Sequence, residues 1–205
     1  MSTRLGSFMG GFGAAVELFQ RATSQGSCVE VVVVGATLVD GSLRIGLILN
    51  DQLRSGTPDI DDKLLSHDPR SMLTERQIFR RAASEGVIGS DLLAELEALY
   101  DDRNRVVHRY LISDITTDEV MQIAVRYERV IPLISACIGR LEQEQIHRGV
   151  GMTLNPDRVA PMEDDTRCDI AAKHGPWWST FVSGRCVDKP LLAEPPISQT
   201  DPAHD

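Results

Sequence analysis

The chain has 205 residues, 42% of them hydrophobic and 25% charged, which is enough for one globular domain with a sizeable core. Its 30 acidic and 21 basic residues give a net charge of −9, which argues against a protein that coats nucleic acid by bulk electrostatics. Because no apolar run approaches the roughly 20 residues that span a bilayer, we expect no membrane protein.

The cysteines and short motifs point away from metal and cofactor chemistry. The four cysteines form no C-x-x-C pair and have the spacing of neither a zinc site nor a small disulfide-linked domain: Cys28, Cys137, Cys168 and Cys186. The first residues show no export signal, so we expect a cytoplasmic protein with reduced thiols. Phosphate-loop, zinc-protease and hydrolase motifs are absent from the sequence, and we predict no cofactor and no bound metal.

The first long apolar segment, Cys28 to Leu49, has two interpretations. Its β-branched valines and the Asp40-Gly41 pair between apolar runs are typical of a β-hairpin. As a helix, it would carry one small and apolar face: Cys28, Val32, Gly35, Val39, Leu43, Gly46 and Asn50. Periodicity leaves both open, but a lone hairpin among helices would expose its edges, which favours the helix.

The middle of the chain contains three predicted helix starts. Thr74 and Gln77 form a capping box, and Thr116 and Glu119 form a second one that opens a long helix. Ser90 is predicted to cap the helix between them. The apolar residues of that helix recur at helical spacing: Leu92, Leu93, Leu96, Leu99, Tyr100, Val107 and Leu111.

The pattern changes at about Gly149, beyond which the apolar periodicity is lost and seven of the ten prolines occur. We therefore predict an all-α helical domain over residues 12–149, followed by a Pro-rich tail, residues 150–205, that is largely disordered or loosely docked. The tail has five basic and nine acidic residues and both tryptophans, Trp177 and Trp178. Docking of this tail on the domain, where it shields a basic cleft, is a hypothesis from the sequence.

The segment Leu99–Tyr110 concentrates the side chains that could carry chemistry. Asn104 and His108 share a helix face, whereas Arg103 and His108 lie about 140° apart around the helix. Two copies of this helix meeting across a two-fold axis would bring both sets of groups into one cleft. There a histidine could transfer a proton and an arginine could neutralise a phosphate during RNA cleavage. In the competing interpretation, Arg103 pairs with Asp101, Asp102 or another acidic group, and His108 lies near the C-terminus of a helix, where its cationic form suits the helix dipole.

The run from Arg103-Asn104 to His108 resembles the R-x4-6-H motif of the HEPN superfamily, in which a polar residue often follows the arginine. The resemblance implies a HEPN-like helical bundle that dimerises at the motif. It also implies metal-independent endoribonuclease activity, as in toxins of toxin–antitoxin and other defence modules. Arg103 and His108 would then be catalytic and Asn104 supporting, while Arg105 and Arg109 would add phosphate contacts.

The motif extends to Tyr110, giving the pattern R-x4-H-x-Y. This longer form is similar to toxins whose antitoxin is a minimal nucleotidyltransferase. The resemblance implies such an antitoxin as a partner, besides a second copy of the chain and an RNA substrate. It also implies that Tyr110 is the target of an inactivating nucleotidylation.

A second resemblance is to the mannitol-operon-repressor-like branch of the same fold. The order of its segments carries it: an apolar helix from Gly35, then Leu73–Phe79, then Gly86–Asp91, then the Arg-Asn pair. This branch implies a non-catalytic regulatory module that binds a protein or a nucleotide. Both resemblances imply a helix over residues 28–49, and they differ on activity.

Overall fold

The computed structural model describes residues 3–68 and 70–153, and it describes the side chains from Arg4 onward. These residues form α1 (Thr3–Gln25), α2 (Cys28–Ser55), α3 (Glu75–Ser84), α4 (Ser90–Arg109), α5 (Thr117–Arg148) and a short 3-10 turn (Asp62–Leu64). They contain no strand, so the predicted all-α class is confirmed for the described part of the chain. The predicted tail lies outside the described residues from residue 154 onward.

Helix α2 is the central element, and it shows that the helical interpretation of residues 28–49 is correct. All its residues from Leu38 to Leu49 except Asp40 are buried. The predicted small face receives α5, because Gly35 lies against the side chain of Tyr127 and Gly46 lies near Ile138. A Cβ on Gly35 would stand only 3.0 Å from that tyrosine, so the close approach of the two helices depends on the glycine.

The same helix is long and apolar enough to cross a membrane, with a mean hydropathy of 1.8 over its most apolar stretch. The segment contains no uninterrupted apolar run of that length, because Asp40 and Arg44 interrupt it, so the sequence did not predict this. Other parts of the fold bury 78% of that stretch. The high hydropathy is therefore accounted for by the helix's position in the centre of the core.

The packing directions bring three helix ends together. Helices α2 and α5 run parallel, because Gly35 meets Tyr127 and Gly46, further along, meets Ile138. Helix α4 runs antiparallel to α5, and the Tyr127 hydroxyl donates a hydrogen bond to the Leu99 carbonyl oxygen at 3.3 Å. The C-terminal end of α4 therefore lies at the same end of the bundle as the N-terminal ends of α2 and α5.

Helices α1 and α3 flank this arrangement. A two-residue connection joins α1 to α2, and α2 runs back along α1. Phe8 and Phe12 of α1 pack beside Gly41 of α2. Helix α3 pairs antiparallel with α4, with an ion pair of 2.9 Å between Arg80 and Glu97. The Asp40-Gly41 pair, the hairpin signal, thus lies in mid-helix, where the missing side chain admits an aromatic ring.

Two of the three predicted helix starts are confirmed in detail. Thr74 and Thr116 both accept a hydrogen bond from the third residue of their helix, in complete capping boxes. The prediction for Ser90 is wrong by one residue. Gly89 occupies the cap position with extended backbone, and Ser90 is the first residue of α4. Helix α5 ends at Gly149, whose positive φ of 65° closes the last turn.

A buried pair of amides ties the chain beyond α5 back to the core. Gln145 donates to Gln52 Oε1 at 3.1 Å, and both side chains are fully buried. The backbone N–H groups of Met152 and Thr153 donate to these two glutamines at 3.0 Å each. Gly151 has a φ of +81°, and a Cβ there would overlap the Gln145 amide. The chain therefore leaves the domain at the C-terminal end of α5 along a defined path.

Candidate functional site

The predicted motif residues lie on the last two turns of α4, where that helix reaches the end of the bundle. They do not point the same way. Arg103 is mostly buried, with 17% of its side chain exposed, whereas His108 is exposed and Asn104 is intermediate. No hydrogen bond joins Arg103 to His108. Within one chain, Arg103 is engaged with Glu75, whereas His108 is exposed to solvent.

Arg103 is turned towards α3. Its Nη2 donates to the Glu75 carboxylate, and its guanidinium carbon lies 5.0 Å from the centre of the Tyr100 ring. Arg76 lies over the same ring at 4.6 Å and pairs with Asp101. The Nε atoms of both arginines are buried without a hydrogen-bond partner among the described residues, so the cation–π contacts offset part of that cost.

Glu75 is the electrostatic partner that sequence reasoning did not name. Burial raises the pKa of its carboxyl above the ordinary value, the Arg103 guanidinium opposes that rise, and Asp40 adds to it. The charged form of Glu75 therefore depends on Arg103. The acidic neighbours considered from sequence, Asp101 and Asp102, pair with other arginines instead.

The outer face of α4 presents the other predicted groups. The side chains of Asn104 and His108 make no hydrogen bond or ion pair with a described residue. Arg109 is exposed and also has no ion pair in the described part of the chain. Arg105 is held by Asp102 and Glu119, at 3.5 and 3.7 Å. This face thus offers an imidazole, an amide and at least one available guanidinium to a molecule outside the single chain.

Next to these groups lies an exposed apolar surface, here called the α4 end patch: Val107, Tyr110, Leu111 and Ile112. Leu111 is 94% and Ile112 is 85% exposed, while Val107 and Tyr110 are each 41% exposed. Val107 and Leu111 continue the helical spacing of the apolar residues, yet both are exposed, and Leu111 lies beyond the end of α4. The helix ends at Arg109, and no described element covers the patch. Single exposed apolar residues are ordinary, whereas contiguous apolar patches are typical of interaction surfaces.

Sequence reasoning also missed a cleft of about 470 Å³ between α1, α2 and the segment that follows the 3-10 turn. Its lining includes Phe8, Asp40, Arg44 and His67. Arg44 is 7% exposed and bonds to Asp40 at 2.7 Å and to the carbonyl oxygens of Leu64 and Leu73. An arginine four residues after an aspartate inside an apolar helix was the available signal. The buried arginine thereby holds the segment between α2 and α3, through Leu64 and Leu73, against α2.

Within residues 3–68 and 70–153, no three His, Cys, Asp or Glu side chains are grouped so that they could hold a metal ion. The acidic segment at Asp59–Asp62 serves the fold instead. Asp61 accepts from the Lys63 backbone and pairs with Arg81 at 2.9 Å. Cys28 and Cys137 are free thiols, and the other two cysteines lie outside the described residues.

Comparisons with known proteins identify no family. The chain matches no family model, no curated protein and no solved structure. What the described residues define is an all-α helical protein with a polar motif and an apolar patch at one end of its bundle.

Proposed function

We propose that this protein is a HEPN-like, metal-independent endoribonuclease that acts as a homodimer in the cytoplasm, as the effector of a toxin–antitoxin or defence module. One observation carries the proposal: the exposed His108 and the partly exposed Asn104 have no side-chain partner among the described residues and lie beside the uncovered α4 end patch. Such a surface is incomplete in one copy. A second copy placed on it supplies the cover for the patch and the opposing set of polar groups.

The α4 end patch is suited to contact between two copies. Burying a leucine or isoleucine side chain contributes about 1.5–3 kcal/mol, so Leu111 and Ile112 of both copies supply a substantial driving force. In a two-fold arrangement the same surface meets itself. His108 and Asn104 of one copy then face their counterparts across a cleft, with Arg109 at its margin.

In this cleft the proposed reaction is attack of a ribose 2′-OH on the adjacent phosphate. One His108 accepts the 2′-OH proton as the oxygen attacks phosphorus, and the partner copy's histidine, in its cationic form, donates a proton to the leaving 5′-oxygen. The products are a 2′,3′-cyclic phosphate end and a 5′-OH end. Arg103 neutralises charge on the phosphate. To do so, its guanidinium leaves the ion pair with Glu75 and binds the substrate instead. Asn104, Arg105 and Arg109 hold neighbouring groups.

The test is cleavage of end-labelled RNA by the purified full chain in EDTA. His108→Ala is expected to lower the rate by about 10²–10⁴-fold, the usual contribution of a proton-transfer group. His147→Ala is the matched control, because His147 is also an exposed histidine in the last turn of a helix. Equal activity of all three proteins, or loss of activity in both variants, would contradict the proposal.

Tyr110 is the proposed site of control by a minimal nucleotidyltransferase antitoxin. The residue directly follows α4 and is 41% exposed, next to the proposed cleft. Incubation with such an enzyme and a nucleoside triphosphate is expected to add nucleotide mass to the wild type and none to Tyr110→Phe. The same modification of the Phe variant would show that another residue is the target.

The second candidate function is a non-catalytic regulatory module that binds a protein or nucleotide, as in the mannitol-operon-repressor-like resemblance. The observation that favours it is the engagement of Arg103 with Glu75 inside the single chain. In that case Arg103→Ala and His108→Ala change stability or partner binding, and no RNA turnover is detected in EDTA or with added divalent metal.

A further inference from the structure

The α4 end patch lacks a cover among the described residues, and the chain carries a segment suited to it. We infer that Trp177 and Trp178 of the same chain dock on the α4 end patch when the protein is a monomer. The docking itself is independent of RNA cleavage. Its regulatory consequence rests on the proposed function, because a docked tail occupies the surface that the second copy needs.

The patch has the chemistry that an indole ring prefers. Leu111 and Ile112 provide an almost fully exposed aliphatic surface. Arg109 stands beside them without an ion pair in the described residues and can lie over an aromatic face. An indole combines a large apolar ring with that cation–π preference. A purely aliphatic occupant would leave the guanidinium unused.

The tail carries the matching groups. Both tryptophans of the protein lie in the run Pro176-Trp-Trp-Ser-Thr-Phe181, so three aromatic side chains occur within five positions. Residues 154–205 contain nine acidic and five basic side chains, a net negative charge that complements an exposed arginine and a histidine. The acidic run Glu163-Asp164-Asp165 precedes the aromatic residues.

The length of the tail permits this contact. The described chain ends at Thr153, which is bound to Gln145 near the C-terminal end of α5, opposite the patch. A helix of 32 residues is about 48 Å long. Trp177 follows Thr153 by 24 residues, and an extended segment of that length spans roughly 80 Å. A tethered segment within reach has an effective concentration in the millimolar range, which favours it over a second copy in dilute solution.

Tryptophan fluorescence of the full chain tests the docking directly, because residues 1–153 contain no tryptophan. The wild type is expected to emit to the blue of free indole and to be shielded from acrylamide. The double variant Leu111→Asp, Ile112→Asp is expected to shift the emission to the red and to raise the quenching constant. These side chains are almost fully exposed, so circular dichroism should show unchanged helicity.

Leu133→Asp is the matched control, because Leu133 is 56% exposed on α5, away from the patch. It should leave both the emission and the quenching at wild-type values. The docking is overturned if the wild type already emits like the chain unfolded in urea, or if the double variant changes nothing. It is also overturned if the blue emission develops only as protein concentration rises, since the patch is then covered by a second copy.

The regulatory consequence has a separate readout. The variant Trp177→Ala, Trp178→Ala is expected to raise the dimer fraction in sedimentation velocity, and with it the rate of RNA cleavage. An unchanged dimer fraction contradicts the competition between tail and second copy. Absence of cleavage by every variant, with the fluorescence results as expected, refutes the proposed function and leaves the docking in place.

Discussion

The ion pair between Glu75 and Arg103 offers the sharpest test of what the arginine does. Glu75→Gln leaves Arg103 mostly buried without a counter-charge, and Arg103→Met does the same to Glu75 while keeping an apolar stem against Tyr100. Breaking a fully buried pair costs about 3–5 kcal/mol, and an exposed pair contributes about 0–1 kcal/mol. With 17% and 25% of the two side chains exposed, we expect Arg103→Met, which leaves the Glu75 carboxylate without its paired arginine, to lose about 2 kcal/mol. Glu75→Gln should lose less, because an amide resembles the protonated carboxyl that the raised pKa favours.

The assay is urea denaturation of the wild type, both single variants and the double variant. The double variant is expected to lose less than the sum of the singles, by at least about 1 kcal/mol, because it carries no unpaired charge. Strict additivity would refute the conclusion that these groups stabilise each other. The neighbouring ion pair between Arg76 and Asp101 is present in all four proteins, so it does not contribute to the difference.

The pH dependence provides a second check. The pKa of Glu75 is raised in the folded state, so the folded chain holds this proton more tightly than the unfolded chain. Ionisation of Glu75 therefore costs stability as the pH rises above about 4.5, its ordinary value. Removing Arg103 enlarges that cost. The stability deficit of Arg103→Met should grow between pH 5 and pH 8, and a constant deficit would contradict the assignment.

Activity separates the structural role of Arg103 from the proposed catalytic one. Glu75→Gln and Arg103→Met both break the ion pair inside the fold, but only Arg103→Met removes the guanidinium. If Arg103 contacts the scissile phosphate, only Arg103→Met removes RNA cleavage, measured well below the unfolding temperature of both variants. Equal loss of cleavage in both would assign Arg103 to the fold alone.

Three further predictions concern the frame around the site. Burial raises the pKa of Glu142 to about 7, so its ionisation destabilises the fold between pH 4.5 and 7; Glu142→Gln should gain about 2 kcal/mol at pH 8 and little at pH 4 in urea titrations. Gly151 has a positive φ, and a Cβ at this position would overlap the Gln145 amide. Gly151→Ala should therefore lose about 2 kcal/mol of folding stability and expose residues 150–153 to protease. Gly35→Ala should lose about 1–3 kcal/mol in thermal melts by crowding α5, whereas Gly139→Ala, with open space around it, should be neutral or stabilising.

The α4 motif illustrates where sequence information ends. The angular separation of Arg103 and His108 follows from helical geometry alone, and the structure places them accordingly. The partner of Arg103 is Glu75, 28 residues earlier in the chain. No periodicity links the two, because their contact depends on how α3 packs against α4.

The two apolar surfaces of the chain show the same division. Val107 and Leu111 follow the helical spacing of the apolar residues before them, yet both are exposed, because burial also requires a neighbouring element and α4 ends at the edge of the bundle. Conversely, Asp40 and Arg44 interrupt the apolar segment in sequence, yet α2 is the most buried helix of the described residues. This is because the two charges neutralise each other and Arg44 donates to the carbonyl oxygens of Leu64 and Leu73.

By itself the sequence predicted the all-α class and two complete capping boxes, and it offered the small face of α2 as one of two interpretations. The angular separation of Arg103 from His108 follows from their spacing along one helix. These are local properties, set by the backbone geometry of one helix and by side chains within a turn or two of each other. Only the tertiary structure decided which apolar residues are covered, which acid holds Arg103 and where the α4 end patch and the cleft form. Those depend on contacts between helices distant in sequence, which local spacing does not specify.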